Sequence, residues 1–427
     1  MMAAGLGFKT FTTGEVLTAG DVNGYLMQGI NVFASNAARD AAITSPQEGQ
    51  FAYTKDTNSL WYYTGSAWAA SGATGDIEGV TAGTGLTGGG TSGTVTLAFD
   101  VANYGGGSYA AGKNAIINGD FYINQRNFTS VTANATYTFD RWKTTIVNGG
   151  GSATVTPQTF TAGAAPVAGY EGRNFLQIVT ASQSTSAALT AIGQGVENVR
   201  NFAGQTVTIS FWAKAASGTP NLKPYVIQDF GTGGSPSAQV YTAATKQTIT
   251  TSWARYSFNI AVPSISGKTI GTDTNSSSLF AQLCVSSGAD YAVLSDVGIQ
   301  NNTFQVWGVQ VEAGSTATAF QTATGTIQGE LAACQRYYFE DAKTTISNGY
   351  ATNTYNNFDR YFHPVVMRTT PTITQTGAVS FSSNTSATTF TIDANGSNTI
   401  ATNMYFLTGA SNGLTYLYRP VQFSAEL

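Results

Sequence analysis

Residues able to make and break bonds are scarce in this chain. Of 427 residues, 23 are Asp or Glu and one is histidine. A lone histidine, His363, argues against His-based triads, His pairs on zinc and most general-base arrangements. Carboxylate-pair glycoside hydrolysis asks only that two acids meet in space, so it stays open as the alternative. The acids, Asp120, Asp140, Glu171, Glu197, Asp229 and Glu312 among them, share no motif. Gly83-Thr-Gly-Leu-Thr-Gly88 spells a dinucleotide fingerprint, yet an alternating β segment follows where a helix must begin. Catalysis is therefore not expected. Adhesive chemistry is better supplied, with 24 Phe, 21 Tyr and 6 Trp. Rigid rings beside Asn and Gly can lie on the C–H face of a sugar while neighbours take its hydroxyls. Tyr355, Tyr405 and Tyr416 are the candidate receptor contacts toward the C-terminal end. In Thr206 to Ala213, Val207, Ile209, Phe211 and Ala213 share one face, which leaves Trp212 with Lys214 on the other. That Trp either stacks on a glycan or is covered by a neighbouring sheet or subunit.

Strands must hold such residues. Charged residues make up only 10% of the chain, and the aromatic content is too high for disorder. Thr, Val, Ile and aromatics favour strands, and abundant Gly and Asn favour turns, so the class expected is mainly β. A net charge of −4 offers no basic field, which excludes a nucleic-acid partner. No apolar run is long enough to span a membrane and no signal-peptide pattern opens the chain, so a soluble protein without standard export is expected. Cys284 and Cys334 read as two buried reduced thiols.

Four regions follow. Residues 1–70 mix helix and hairpin. Thr18-Ala-Gly-Asp21 has capping-box spacing, and Val22, Tyr25, Leu26, Ile30 and Phe33 then follow helical spacing. Asn36 to Ile43 predicts a second short helix, and Gln50–Tyr53 with Leu60–Tyr63 a hairpin. Residues 71–113 are Gly-rich, then alternate through Val95, Leu97 and Phe99, a strand with no evident partner in its own segment. This is either a flexible linker or a collar closed by identical chains. Residues 114–322 carry many strands with turns between them and predict a sandwich or jelly roll. In residues 323–427 a short helix, striped by Ile327, Leu331, Cys334 and Tyr338, precedes a further β unit.

Several motifs resemble tail fibres and receptor-binding tail proteins of tailed phages. Glu330-Leu-Ala-Ala-Cys-Gln-Arg-Tyr-Tyr338 is similar to the junction before their terminal domain. Phe11 to Trp68 resembles their N-terminal attachment module, Gly79 to Gly90 their trimeric collar, and Arg360 to Thr374 their C-terminal domains. The ends of the middle region, Asn118-Gly-Asp-Phe121 and Trp307-Gly-Val-Gln-Val-Glu312, resemble jelly-roll carbohydrate-binding modules. The resemblance implies a homotrimeric virion protein, made in the host cytoplasm and without enzymatic activity. Residues 1–70 would dock on a tail, baseplate or adaptor protein, and the C-terminal domains on host surface polysaccharide or an outer-surface protein. A tailspike-type depolymerase is the alternative, and a head or baseplate decoration protein a third reading. The carbohydrate-module likeness also implies a structural calcium at Asp120, although Trp307-Gly308 stands where acidic ligands occur in such modules. The competing reading of Gly119 is a purely structural turn.

Overall fold

The computed structural model describes residues 11–23, 29–72, 79–83, 85–99, 112–167, 169–273, 275–351, 356–375, 380–382, 387–393, 398–408 and 413–427. For Phe99 and within 342–361, 375–397 and 402–420 the description covers backbone strands alone. The chain divides into two compact units, Met1–Phe99 and Asp100–Leu427. It is mainly β, as composition predicts.

In the first unit, helix α1 (Ala19–Asp21) is closed by the expected capping box. Thr18 Oγ1 accepts from the Asp21 amide at 3.1 Å, and Asp21 Oδ2 accepts from the Thr18 amide at 3.0 Å. Helical spacing does not carry through to Phe33, because strand β1 (Asn31–Phe33) pairs in parallel with β2 (Phe51–Thr54). Pairing with a strand about twenty residues on overrides a local pattern. Helix α2 (Asn36–Ala42) and the hairpin of β2 with β3 (Ser59–Tyr63) form as expected, and β4 (Trp68–Ala70) completes the sheet. Arg39 of α2 is buried, with its guanidinium over the rings of Trp61 and Trp68. Next come β5 (Val80–Thr81), β6 (Leu86–Gly90) and β7 (Leu97–Phe99), hydrogen-bonded in that order. The Leu97–Phe99 strand therefore has a partner in its own segment, which removes the missing partner from the case for a collar. Gly88 and Gly89 permit this, since a Cβ would lie 2.2 Å from the Thr96 oxygen at Gly88 and 2.4 Å from the Val80 oxygen at Gly89.

The second unit is built on a two-sheet sandwich, as the alternation predicts. Its strands run β8 (Lys143–Val147), β9 (Ser152–Thr159), β10 (Asn174–Ala181), β11 (Leu189–Glu197), β12 (Thr206–Ala215), β13 (Asn221–Asp229), β14 (Val240–Ala243), β15 (Gln247–Thr248), β16 (Ala254–Ala261), β17 (Ser278–Ser287) and β18 (Thr303–Ala313). One sheet has the order β16-β12-β18-β10-β9, and the other β14-β13-β17-β11-β8 with β15 on β13. Val207, Ile209, Phe211 and Ala213 meet Ile192, Leu283 and Val226 in one core between them. Asn118-Gly-Asp-Phe121 is a structural turn: Asn118 and Phe121 have φ of 58° and 57°, and the Asn118 side chain bonds Ile123 and the Asp140 carbonyl.

Helix α3 (Ile327–Gln335) and the strands after it join this sandwich. The strands are β19 (Tyr338–Ala351), β20 (Asn356–Phe362), β21 (Thr372–Gln375), β22 (Ser380–Ser382), β23 (Ala387–Asp393), β24 (Ala401–Thr408) and β25 (Gly413–Ser424). The Cys-Gln-Arg-Tyr-Tyr segment is the joint. Cys334 is buried and free, Arg336 pairs with Glu197 at 3.0 Å, and the Tyr337 and Tyr338 rings lie under the guanidinium groups of Arg141 and Arg126. Cys284 is also a free buried thiol, its pKa pushed up to about 12 by burial. Burial likewise raises the Asp140 carboxyl from an ordinary 3.8 to about 6, against hydrogen bonds from the Gln125 amide and side chain. The folded state thus keeps a proton that the unfolded chain releases. Its stabilisation is full below 3.8 and is lost as pH rises through about 6. Asp140→Asn should flatten the fall of unfolding free energy between pH 4 and 6, measured by urea titration at each pH; equal slopes in both proteins would place that proton elsewhere.

Candidate functional site

Alternation along the β14-β13-β17-β11-β8 sheet sends Ile146, Ile192, Leu283 and Val226 into the core, and their neighbours to the outer face. Register sets those neighbours side by side. Gly193 faces Gln282, Gln282 faces Tyr225, and Ile227 faces Tyr241. The chain after β17 then folds back over part of this face. Leu294 and Val297 bury Leu189, Ala191, Tyr225 and Cys284 in a small second core. Lys223 pins this flap, its Nζ donating to Val293 O at 2.8 Å and to Asp296 Oδ1 at 2.7 Å.

A groove of about 400 Å³ remains beside the flap, lined by Tyr225, Tyr241, Tyr291, Gln282, Thr145, Ile227 and aliphatic neighbours. Gly193 makes room for Gln282, since a Cβ there would stand 2.4 Å from Gln282 Cγ. Gln282 Oε1 accepts from the Tyr225 hydroxyl and from Thr145 Oγ1 at 3.3 Å. That fixes the amide and leaves Nε2 as a donor. Tyr241 is 47% exposed, and its hydroxyl is held by Gln239, which is held in turn by Asp229. Fixed rings over an aliphatic floor, with one oriented amide, suit the C–H face of a sugar.

A second hollow of about 360 Å³ lies between the sandwich and α3, with Asp120, Tyr170 and Glu330 on its wall. Asp120 Oδ2 accepts from the Tyr170 hydroxyl at 2.8 Å, and burial, aided by nearby Glu330, raises its pKa. Both Glu330 oxygens are engaged: Oε2 by the Asn118 amide at 2.7 Å, Oε1 by the Thr324 amide at 2.7 Å and hydroxyl at 2.9 Å. Among the described residues no three His, Cys, Asp or Glu gather as metal ligands. A hard cation takes about six to eight oxygens, and at this hollow Asp120 and Glu330 are the carboxylates on the wall.

Trp212 is 9% exposed and does not offer an open stacking face. It pairs with Trp307 across β12 and β18, Phe320 packs edge-on against it, and the Arg255 guanidinium lies 4.8 Å from its ring. The covering segment comes from a hundred residues on, which alternation cannot report. Lys214 is half-buried with Nζ 5.4 Å from the Trp253 ring, not beside the groove. Tyr355 lies outside the described residues. The backbones of Tyr405 and Tyr416 are placed in β24 and β25, but their side chains lie outside the description. His363 is buried between Phe339 and Phe423. Sequence reading missed Tyr225, Tyr241, Tyr291 and Gln282, which carry no local motif.

No protein-family model matches the chain, and none of the curated proteins does. Among solved structures it is similar to a putative sugar binding protein from Bacteroides thetaiotaomicron (TM-score 0.29, 13% identity, 47% of this chain and 100% of that one). It is similar also to a CBM4 (0.27, 14%, 46% and 98%). A third is the CBM22-1 xylan-binding domain from Paenibacillus barcinonensis Xyn10C (0.26, 13%, 48% and 97%).

Proposed function

We propose that the chain is a non-catalytic adhesion protein whose sandwich holds glycan in the groove beside Tyr241. The observation that carries this reading is the set of three tyrosines with fixed hydroxyls around an uncharged groove, joined by the oriented Gln282 amide. Within that role we place it as a phage tail fibre, on the resemblance of its junction, N-terminal and C-terminal motifs. Docking by residues 1–70 is supported by an apolar sheet face, where Val32, Phe51 and Tyr62 are all exposed. A trimeric collar draws support from Leu86 and Leu97, each more than 40% exposed. The non-catalytic reading is supported by Glu330, which shares a hollow with Asp120 but spends one oxygen on the Asn118 amide and the other on Thr324.

Tyr241→Ala should weaken adsorption of the purified chain to host cells, or to polysaccharide extracted from them, about tenfold. Loss of one stacking ring at the upper end of its usual worth, about 1.4 kcal/mol, is a factor of about ten. The triple replacement of Tyr355, Tyr405 and Tyr416 by Ala should leave adsorption largely intact. The reverse pattern, in folded proteins, moves the receptor site to the terminal strands.

A further inference from the structure

The lining of the groove narrows the ligand class, an inference that rests on the glycan-binding reading above. Among the described residues no charged one lines it, and Lys223 on the same face is spent on Val293 O and Asp296. An anionic sugar would therefore be desolvated there without a counter-charge. The hydroxyls are committed as well. Tyr225 donates to Gln282, Tyr241 to Gln239 Oε1 at 2.8 Å, and Tyr291 to the Ala187 carbonyl at 3.2 Å. What faces a ligand is ring and aliphatic surface, the lone pairs of bonded hydroxyls, and one donor, Nε2 of Gln282. A hexose with its full set of hydroxyls would leave some of them unpaired against this wall, which opposes binding. A sugar with a methyl group in place of a hydroxyl, or capping one, would bury that methyl favourably.

We infer that the groove selects uncharged sugar units that carry a methyl group, with Gln282 Nε2 taking a ring or carbonyl oxygen. A 6-deoxyhexose and an O-acetylated sugar both supply this chemistry, and separate arms of one experiment tell them apart. In the first arm, the full chain is tested against polymer-displayed L-fucose and L-galactose, which differ only in the hydroxyl at C6. In the second, acetylated glucomannan is compared with the same polymer after mild alkali, by retardation in affinity gels. At least one arm should favour the methyl-bearing member about tenfold or more, the usual scale for one group in an apolar pocket. Tyr241→Ala should abolish that preference. Equal binding of both members in both arms overturns the methyl selection and leaves the glycan reading standing. A preference unchanged by Tyr241→Ala overturns the placement in this groove. No retention by either pair or by any sugar of a broad glycan array overturns selection and glycan reading together.

Discussion

Glu426→Ala is expected to destabilise the second unit by about 3–5 kcal/mol, the cost of leaving a buried charge without its partner. Glu426 holds two arginines. Its Oε1 accepts from Arg126 at 2.8 Å, and its Oε2 accepts from Arg141. Arg141 is 1% exposed, so its guanidinium has no route to water once the carboxylate is gone. Among the described residues it then keeps the Gly195 carbonyl and the face of Tyr337. A matched control lies in the same joint. Glu197→Ala breaks the Arg336 pair, whose side chains are 41% and 35% exposed, and should cost about 1 kcal/mol or less. Urea denaturation of both variants, followed by tryptophan fluorescence, measures the contrast. Equal losses would mean that burial at Glu426 carries no penalty, and the joint would then be held by its aromatic packing alone.

Gly119→Ala should cost on the order of 3 kcal/mol, the upper part of the range for forcing extra atoms into a packed site. A Cβ at Gly119 would stand 2.2 Å from the Val309 oxygen, a distance that only backbone movement can relieve. That movement strains two bonds at once. Val309 N donates to Gly119 O at 2.9 Å, and Asn114 Nδ2 donates to Val309 O at 3.1 Å. Gly72→Ala, where no atom of the described residues lies within 4 Å of the added Cβ, should be close to neutral. A thermal midpoint for Gly119→Ala matching that of Gly72→Ala would mean that this turn yields without loss.

Period-two alternation alone determined that Val207, Ile209, Phe211 and Ala213 share the face packed against the other sheet, because a strand places alternate side chains on opposite faces whatever surrounds it. Local bonding likewise determined the capping box at Thr18 and the hairpin of β2 and β3, where every partner lies within about a dozen residues. The Glu-Leu-Ala-Ala-Cys-Gln-Arg-Tyr-Tyr segment could be read as a joint, since a short apolar stripe must pack against something. Which arginines would cover its tyrosines could not. Tertiary structure decided what happens on the second face of each sheet. Trp212 is buried because Phe320 and Arg255 come to it from elsewhere in the chain. Tyr225, Gln282 and Tyr241 form one groove because strand register and the flap after β17 bring them together. Burial by a distant segment leaves no trace in local spacing, so an outward aromatic reads the same whether it meets solvent, a ligand or another part of its own chain.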